Sequence, residues 1–305
     1  MTDSKKRVLI FGVSGLLGNN LAYCWRDMFH VYGVYHQHAA EIEGVETKQL
    51  NALNEELLKQ YIHWVKPDVI VNCAALANID YCEENPDEAK LLNIDLVKKT
   101  VNAIKGKNIK FIHFSTDNVF DGTKGGYTEN DAINPVNVYG HTKYAGELEA
   151  LKNDGAIVAR TNIFGWNIQE KFSLAEWCIS ELSEKRIING FTDVYFSSIY
   201  TFDLADILHD ALKKNIKGVY HMASSSSMSK YEFLVKVAEL FKLDARLIKP
   251  ALVEDFPFKA KRPRNLSLCV SKLSGQLEKK IPPVIDSLNR FYSDNYVTTG
   301  LHNEN

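Results

Sequence analysis

The stretch Gly12-Val-Ser-Gly15-Leu-Leu-Gly18 lies between a short apolar run, Arg7–Phe11, and a segment of helical periodicity, Leu16–Met28. A glycine turn between a strand and a helix lets the backbone approach a pyrophosphate, whose charge then lies at the helix N-terminus. The alternative is a tight turn without a ligand. The turn has a predicted strand before it and a predicted helix after it, and further strands and helices alternate beyond. This context favours a dinucleotide-binding site at Gly12–Gly18.

The first half of the chain alternates short runs rich in β-branched residues with longer stretches of helical periodicity. Strands are predicted at Arg7–Phe11, His30–Tyr35, Asp68–Asn72, Lys110–Ser115 and Ala156–Arg160, and helices at Leu16–Met28, Asn54–Val65, Pro86–Lys105 and Val138–Lys152. Such alternation produces right-handed βαβ units and a parallel sheet. We predict an α/β fold with a doubly wound, Rossmann-like parallel sheet and a smaller, less regular C-terminal substrate domain.

The predicted domain division follows the loss of regularity after Arg160. Residues 1–160 are assigned to the dinucleotide-binding domain, completed by part of 191–217. Residues 161–190 and 218–305 are assigned mainly to substrate binding.

Composition excludes several classes of protein. The 305 residues carry 36 lysines and arginines against 38 aspartates and glutamates, a formal charge of −2, which is unlike a dedicated nucleic-acid binder. No apolar run reaches the roughly 20 residues of a membrane span, and we expect no signal peptide. The five cysteines are scattered and show no Cys-x-x-Cys pair, so we expect a cytoplasmic protein without a metal site.

The end of the second strand bears on the choice of cofactor. An acidic side chain there would bind the ribose 2′-hydroxyl of NAD. The sequence has Tyr35-His-Gln-His38 instead, so a 2′-phosphate is not repelled and His36 can donate to it. The alternative is that these histidines are solvated loop residues. The pattern favours NADP(H) and leaves NAD(H) open.

A tyrosine and a lysine lie four residues apart in Tyr139-Gly-His-Thr-Lys143. Positions i and i+4 share one helix face, so the phenol and the ammonium project together. We expect the lysine charge, aided by an oxidised nicotinamide, to lower the phenol pKa from its usual value near 10. The pair is then suited to acid catalysis on a carbonyl that accepts hydride.

Ser115-Thr-Asp117 ends an apolar strand, at the edge of a parallel sheet where ligands bind. A hydroxyl at that edge can hydrogen-bond the same carbonyl oxygen as the tyrosine. Capping and turn chemistry is the alternative explanation for these three residues. Their occurrence together with the glycine turn and the tyrosine–lysine pair favours a reductase site.

With these motifs the sequence resembles the extended short-chain dehydrogenase/reductase superfamily and, more narrowly, the dTDP-4-dehydrorhamnose reductase family. Besides Gly12–Gly18, the resemblance rests mainly on Val71–Ala75, Leu91–Asn93, Ser115–Gly122 and Asn134–Glu147. It implies reduction of the 4-keto group of a nucleotide-diphospho-6-deoxysugar. It also implies a nucleotide-sugar ligand, and it allows a homodimer.

The resemblance implies roles for individual residues. Thr116, Tyr139 and Lys143 would be catalytic. The cofactor would contact Gly12, Gly15, Leu16, Leu17, Gly18, His36, Asn51, Ala74, Ala75, Leu76, Tyr139 and Lys143. The substrate would contact Thr116, Asp117, Asn162 and Arg262. Asn51 departs from the family, which usually has an aspartate there. For Arg262, diphosphate binding and a solvated basic loop are equally good explanations.

Other functions of the same superfamily stay open at this point. Dehydratases follow the threonine with Asp-Glu, whereas Asp117 precedes Asn118 here, so dehydration is disfavoured. A 4-epimerase would use the same tyrosine and lysine. A cofactor-binding regulatory subunit, such as the beta subunit of methionine adenosyltransferase, would also resemble this sequence.

Overall fold

The computed structural model describes residues 5–169 and 172–295. Its strands are β1 (Arg7–Phe11), β2 (His30–Tyr35), β3 (Val45–Gln49), β4 (Val69–Asn72), β5 (Lys110–Thr116), β6 (Ile157–Thr161), β7 (Ile163–Phe164), β8 (Ile188–Phe191), β9 (Tyr195–Phe196), β10 (Ile199–Tyr200), β11 (Gly218–His221), β12 (Met228–Ser229) and β13 (Ile248–Ala251). Its α-helices are α1 (Leu16–Trp25), α2 (Glu55–Val65), α3 (Ile79–Glu84), α4 (Pro86–Lys90), α5 (Leu96–Ile104), α6 (Val138–Ala150), α7 (Leu174–Ser183), α8 (Thr201–Lys213), α9 (Lys230–Leu240), α10 (Ser271–Leu277) and α11 (Val284–Ser293).

Seven of these strands form one parallel sheet in the order β11-β6-β5-β4-β1-β2-β3. From β1 the sheet continues through β2 to β3 on one side, and from β4 it continues through β5 and β6 to β11 on the other. The strand order therefore reverses between these two neighbours, and the crevice outside their carboxyl ends is where ligands bind in open α/β sheets. The predicted Rossmann-like fold is confirmed.

The five predicted strands are present, and β4 is buried along its whole length, as its apolar sequence requires. The sequence analysis missed β3. That strand lies at the sheet edge and exposes Glu46, Lys48 and Gln49, so it lacks the apolar run that marks the buried strands.

Two helix predictions need correction. The first helix ends at Trp25 rather than Met28. The segment predicted as one helix over Pro86–Lys105 consists of α4, a π-helical turn at Leu91–Asp95, and α5. The π turn contains the fully buried Asn93, whose side chain bonds to neighbouring elements. Such turns are frequent at functional sites.

Apolar side chains form separate clusters on the two faces of the sheet, one with α1 and α8 and the other with α2 and α5. A third cluster, rich in aromatic rings, joins α7, α9 and α11 with short strand pairs. We call this third region the C-terminal lobe. Its strand pairs are β7 with β10, β9 with β12, and β8 with β13.

The large sheet takes its last strand, β11, from the segment assigned mainly to substrate binding. The predicted domain division otherwise stays a prediction. Over residues 5–169 and 172–295, no helix has the length and apolar character needed to cross a membrane.

Candidate active site

The glycine turn joins β1 to α1 at the carboxyl edge of the sheet. Gly12 has a φ of +77°, and a Cβ there would lie 2.8 Å from the backbone nitrogen of Ala74. A Cβ on Gly18 would lie 2.2 Å from the carbonyl oxygen of Gly12. These two positions require glycine because the turn, α1 and the segment after β4 approach one another closely.

Gly15 differs from its two neighbours in the motif. A Cβ on it would meet Gly12 O at 3.5 Å, an ordinary contact, so the turn has room for a Cβ at this position. Gly15 is also the N-cap of α1, and no described side chain caps that helix end. Free amides at a helix N-terminus fit a pyrophosphate, so the residues present are compatible with a dinucleotide.

The residues predicted near the adenosine end lie on the same edge of the sheet. His36 directly follows β2, is exposed, and accepts a hydrogen bond on its carbonyl from Gln49 Nε2 at 2.9 Å. Asn51 follows β3 and accepts from the Leu53 amide at 3.0 Å. Both side chains are exposed, and their contact with a cofactor stays a prediction.

Ala74, Ala75 and Leu76 follow β4, directly across the reversal of strand order from the glycine turn. Asn93 accepts from the Leu76 amide at 2.9 Å and donates to Leu76 O at 3.1 Å and to Thr142 Oγ1 at 3.0 Å. Asn93 therefore ties the predicted cofactor wall to α6. In the sequence Asn93 is only the last residue of the Leu91–Asn93 motif, and a lone asparagine does not reveal such bonds.

Tyr139 and Lys143 lie one turn apart on α6, which Asn137 caps by accepting from the Gly140 amide at 2.8 Å. Tyr139 is half-buried, whereas Lys143 is only 3% exposed. Lys143 Nζ donates to Phe114 O at 2.6 Å. Burial lowers the pKa of Lys143 to about 8, and the nearby carboxylate of Glu147 opposes that shift.

The expected lowering of the tyrosine pKa is not found among these residues. Burial raises the pKa of Tyr139, the neighbouring Thr116 hydroxyl acts in the opposite direction, and the charge of Asp117 raises it further. Burial outweighs the other effects because a phenolate in this position would lose its hydration. A phenol is protonated at neutral pH at its usual pKa near 10 already, so the raised pKa makes Tyr139 a weaker acid among these residues.

Thr116 and Asp117 are both buried at the end of β5. The Thr116 hydroxyl donates to Asp117 Oδ1 at 3.0 Å, and Asn118 Nδ2 donates to the same oxygen at 2.8 Å. Asn162 Nδ2 donates to Asp117 Oδ2 at 3.0 Å. These bonds lower the pKa of Asp117 less than burial raises it. The structure thus places the predicted substrate residues Thr116, Asp117 and Asn162 in one bonded group.

Arg262 lies in a loop of the C-terminal lobe and donates to Asp80 Oδ2 at 2.7 Å. The loop is fastened to the active-site helix, because Asn137 Nδ2 donates to Lys261 O at 3.0 Å. The solvated-loop explanation of Arg262 is therefore incomplete, since its side chain is only 18% exposed and ion-paired.

A lysine that the sequence analysis missed lies near this group. Burial lowers the pKa of Lys230, the first residue of α9, and the charge of Arg262 lowers it further, whereas Asp117 opposes the shift. Lys230 belongs to none of the sequence motifs, and it lies shortly after a run of serines. Within the described ranges, no group of three histidine, cysteine, aspartate or glutamate side chains is placed to hold a metal ion.

The family described as the RmlD substrate binding domain matches residues 6–297. This chain belongs to that family. The resemblance to dTDP-4-dehydrorhamnose reductases is thereby confirmed over nearly the whole length.

The chain is similar to two kinds of known protein. The chain is 31% identical over 281 residues to the dTDP-4-dehydrorhamnose reductase of Aggregatibacter actinomycetemcomitans, covering 88% of this chain and 92% of that protein. It is also 31% identical over 289 residues to methionine adenosyltransferase 2 subunit beta of Rattus norvegicus, covering 88% and 81%.

A solved structure has the same fold. The dTDP-4-dehydrorhamnose reductase of Bacillus anthracis, in complex with NADP, has a TM-score of 0.84 and 24% identity. The match covers 95% of this chain and 100% of that one.

Proposed function

We propose that this chain is an NAD(P)H-dependent reductase of the 4-keto group of a nucleotide-diphospho-4-keto-6-deoxysugar. The observation that carries the proposal is the grouping of Tyr139, Lys143, Thr116 and Asp117 at the same carboxyl edge of the sheet as the glycine turn. The reductase relative supports the substrate class, and the NADP complex of the Bacillus anthracis protein supports NADP as the favoured cofactor, with NAD as the alternative.

Each residue of the site has a separate role in this reaction. Gly12–Gly18 would hold the pyrophosphate of a nicotinamide dinucleotide, which would supply the hydride. Tyr139 donates the proton to the carbonyl oxygen, since a phenol is protonated at neutral pH. The buried Lys143 ammonium stabilises the negative charge that develops on that oxygen. The Thr116 hydroxyl, which donates to Asp117 in this structure, turns to donate to the same oxygen when a substrate is bound.

The test is to mix the protein with NADPH and dTDP-4-keto-6-deoxyhexose and to follow NADPH consumption and the reduced sugar. Turnover supports the proposal. Tight NADPH binding without turnover of any keto-sugar nucleotide would instead favour the regulatory role suggested by the methionine adenosyltransferase relative. Isomerisation of a sugar nucleotide without net consumption of NADPH would favour an epimerase.

A variant of the glycine turn tests the cofactor site separately. Gly15→Val places a branched side chain where the pyrophosphate is expected, while the turn itself has room for a Cβ. We expect a folded protein with at least about tenfold weaker NADPH binding in direct titration, a difference of roughly 1.4 kcal/mol. Unchanged affinity in the folded variant would contradict the assignment.

A further inference from the structure

Strand β3 forms one edge of the large sheet, and no described strand lies on its outer side. It pairs in parallel with β2 on its inner side. The amide of Leu50, the residue after β3, donates to Tyr35 O at 2.9 Å. Successive residues of a strand direct their backbone groups to opposite sides. The amides and carbonyls of Val45, Thr47 and Gln49 therefore point away from the sheet.

The exposed edge carries one charge of each sign. A free strand edge is a template for pairing with another chain, and charged side chains on the edge usually prevent such pairing. Glu46 and Lys48 are both exposed. Neither side chain forms an ion pair within residues 5–169 and 172–295. Charges of one sign would oppose pairing between two copies in every register, whereas opposite charges oppose it only in some.

The two charges of β3 favour one antiparallel register between two copies of the strand. With Thr47 opposite Thr47 of a second copy, Glu46 of each copy lies opposite Lys48 of the other. Opposite charges placed in this way stabilise a strand pair. The neighbouring registers place Glu46 opposite Glu46 or Lys48 opposite Lys48, and like charges directly opposite are destabilising. The strand is therefore complementary to itself in a single central register.

That register also agrees with the direction of the backbone groups. In an antiparallel pair, residues that point toward the partner exchange both an amide and a carbonyl bond with the residue opposite. Thr47 points outward and would lie opposite itself, so each copy can donate its Thr47 amide to the Thr47 carbonyl of the other. Among the described residues, no group outside β2 bonds to the Thr47 backbone.

Apolar surface lies beside this edge, on the side of the sheet covered by α2. Glu46 is opposite Tyr32 in the β2 register, and the Tyr32 ring lies 5.8 Å from the Trp64 ring of α2. Lys48 shares this face, because residues two apart on a strand do. The Trp64 side chain is 60% exposed, although it stacks on Tyr61 at 5.5 Å. Exposed tryptophan next to charge is typical of protein interfaces.

We propose that β3 is an interface between two copies of this chain, which join their sheets by antiparallel pairing centred on Thr47. A twofold axis perpendicular to the sheet relates the copies, as in most homodimers. Two ion pairs between Glu46 and Lys48 flank the axis and fix the register. The inference goes beyond the proposed reaction, because β3 carries none of the residues that act on the substrate.

The test is the oligomeric state of the full-length chain in sedimentation velocity over a series of protein concentrations. The parent should form a reversible dimer. Glu46→Lys places a lysine opposite Lys48 in both ion pairs, so the dissociation constant should rise at least about tenfold. Lys48→Glu places two carboxylates opposite each other and should have the same effect.

Mixing these two single variants tests the register itself. One copy then carries two lysines on its edge and the other two glutamates, so both cross-strand pairs are again of opposite charge. An equal mixture of Glu46→Lys and Lys48→Glu should therefore form a heterodimer of near-parental affinity, although each variant alone is mainly monomeric. The double variant Glu46→Lys/Lys48→Glu should dimerise like the parent. A purely structural role of either side chain would not produce this recovery.

A backbone variant tests the strand pairing without a change of charge. Thr47→Pro removes the central amide donor, and proline is tolerated where the amide of an edge strand faces outward. We expect a folded monomer. The matched control, Glu239→Lys, makes the same charge change on α9, where Glu239 is exposed, and should leave the dimer intact. Thermal unfolding of each variant checks that it folds.

Three results would overturn the inference. The first is a parent that stays monomeric over the whole concentration series. The second is a dimer that persists unchanged in folded Glu46→Lys and Thr47→Pro, since the copies would then associate through another surface. The third is a mixture of the two single variants that fails to associate, which would exclude the register centred on Thr47.

Discussion

Two buried charged groups on one helix have opposite surroundings. Lys143 and Glu147 lie one turn apart on α6, and they are 3% and 1% exposed. Glu147 accepts from Arg160 Nε at 2.9 Å and from Arg160 Nη2 at 2.7 Å, and it also accepts from the Ser115 hydroxyl. Lys143 donates to a backbone carbonyl and forms no ion pair within the described ranges.

This difference separates a structural charge from a functional one. A buried charge that is paired and hydrogen-bonded is compatible with a purely structural role, whereas a buried charge without a counter-ion destabilises the fold and marks a candidate site. The same division occurs on β5, where Ser115 bonds to the ion pair and the next residue, Thr116, bonds to Asp117.

The largest effect is expected from breaking the ion pair. Arg160→Met leaves the Glu147 carboxylate buried without its partner, so we expect a loss of about 3–5 kcal/mol in the free energy of unfolding. Denaturant titration measures it. The double variant Arg160→Met/Glu147→Leu should recover much of the loss, because an apolar pair can replace a buried ion pair. A loss below about 1 kcal/mol in the single variant would show that the pair is not structural.

On the active-site side, Tyr139→Phe should act on rate rather than on folding. Removing the acid should lower kcat for keto-sugar reduction about 10²–10⁴-fold, while the retained ring preserves packing. Steady-state kinetics and thermal unfolding measure the two effects. Tyr144→Phe, on the same helix and packed against the core, is the control and should keep full activity. A fully active Tyr139→Phe would exclude the phenol as the acid.

Lys143→Met distinguishes the two buried charges directly. We expect a large loss of activity, but a free energy of unfolding equal to or above that of the parent, since the change removes a buried charge without a counter-ion. Parallel unfolding titrations of Lys143→Met and Arg160→Met give the comparison. If both variants lose stability equally, the division into structural and functional charge fails.

The smallest effect concerns pH. The pKa of Lys143 is about 8 in the folded protein, against 10.5 for an unperturbed lysine, so the folded state releases this proton first as pH rises. Between these values the unfolded state binds more protons, and stability rises with pH. The parent should therefore gain up to about 3 kcal/mol relative to Lys143→Met over this interval. A constant difference between the two unfolding curves would contradict the lowered pKa.

The N-terminal half could be predicted well because its signals are local. Apolar runs between turns predicted β1, β2 and β4 nearly to the residue, and the spacing of Tyr139 and Lys143 placed both on one helix. The π turn around Asn93 could not be predicted, because the bonds of that side chain to Leu76 and Thr142 depend on how α6 packs.

The sequence by itself determined the parallel sheet, the glycine turn and the tyrosine–lysine pair, since strand and helix periodicity and the conformational needs of glycine act over a few residues. Only the tertiary structure decided which buried charges are paired. Burial and ion pairing depend on residues distant in the chain, such as Glu147 with Arg160 and Arg262 with Asp80. The same holds for Lys230, whose position beside Arg262 follows from the packing of β9 and not from any motif.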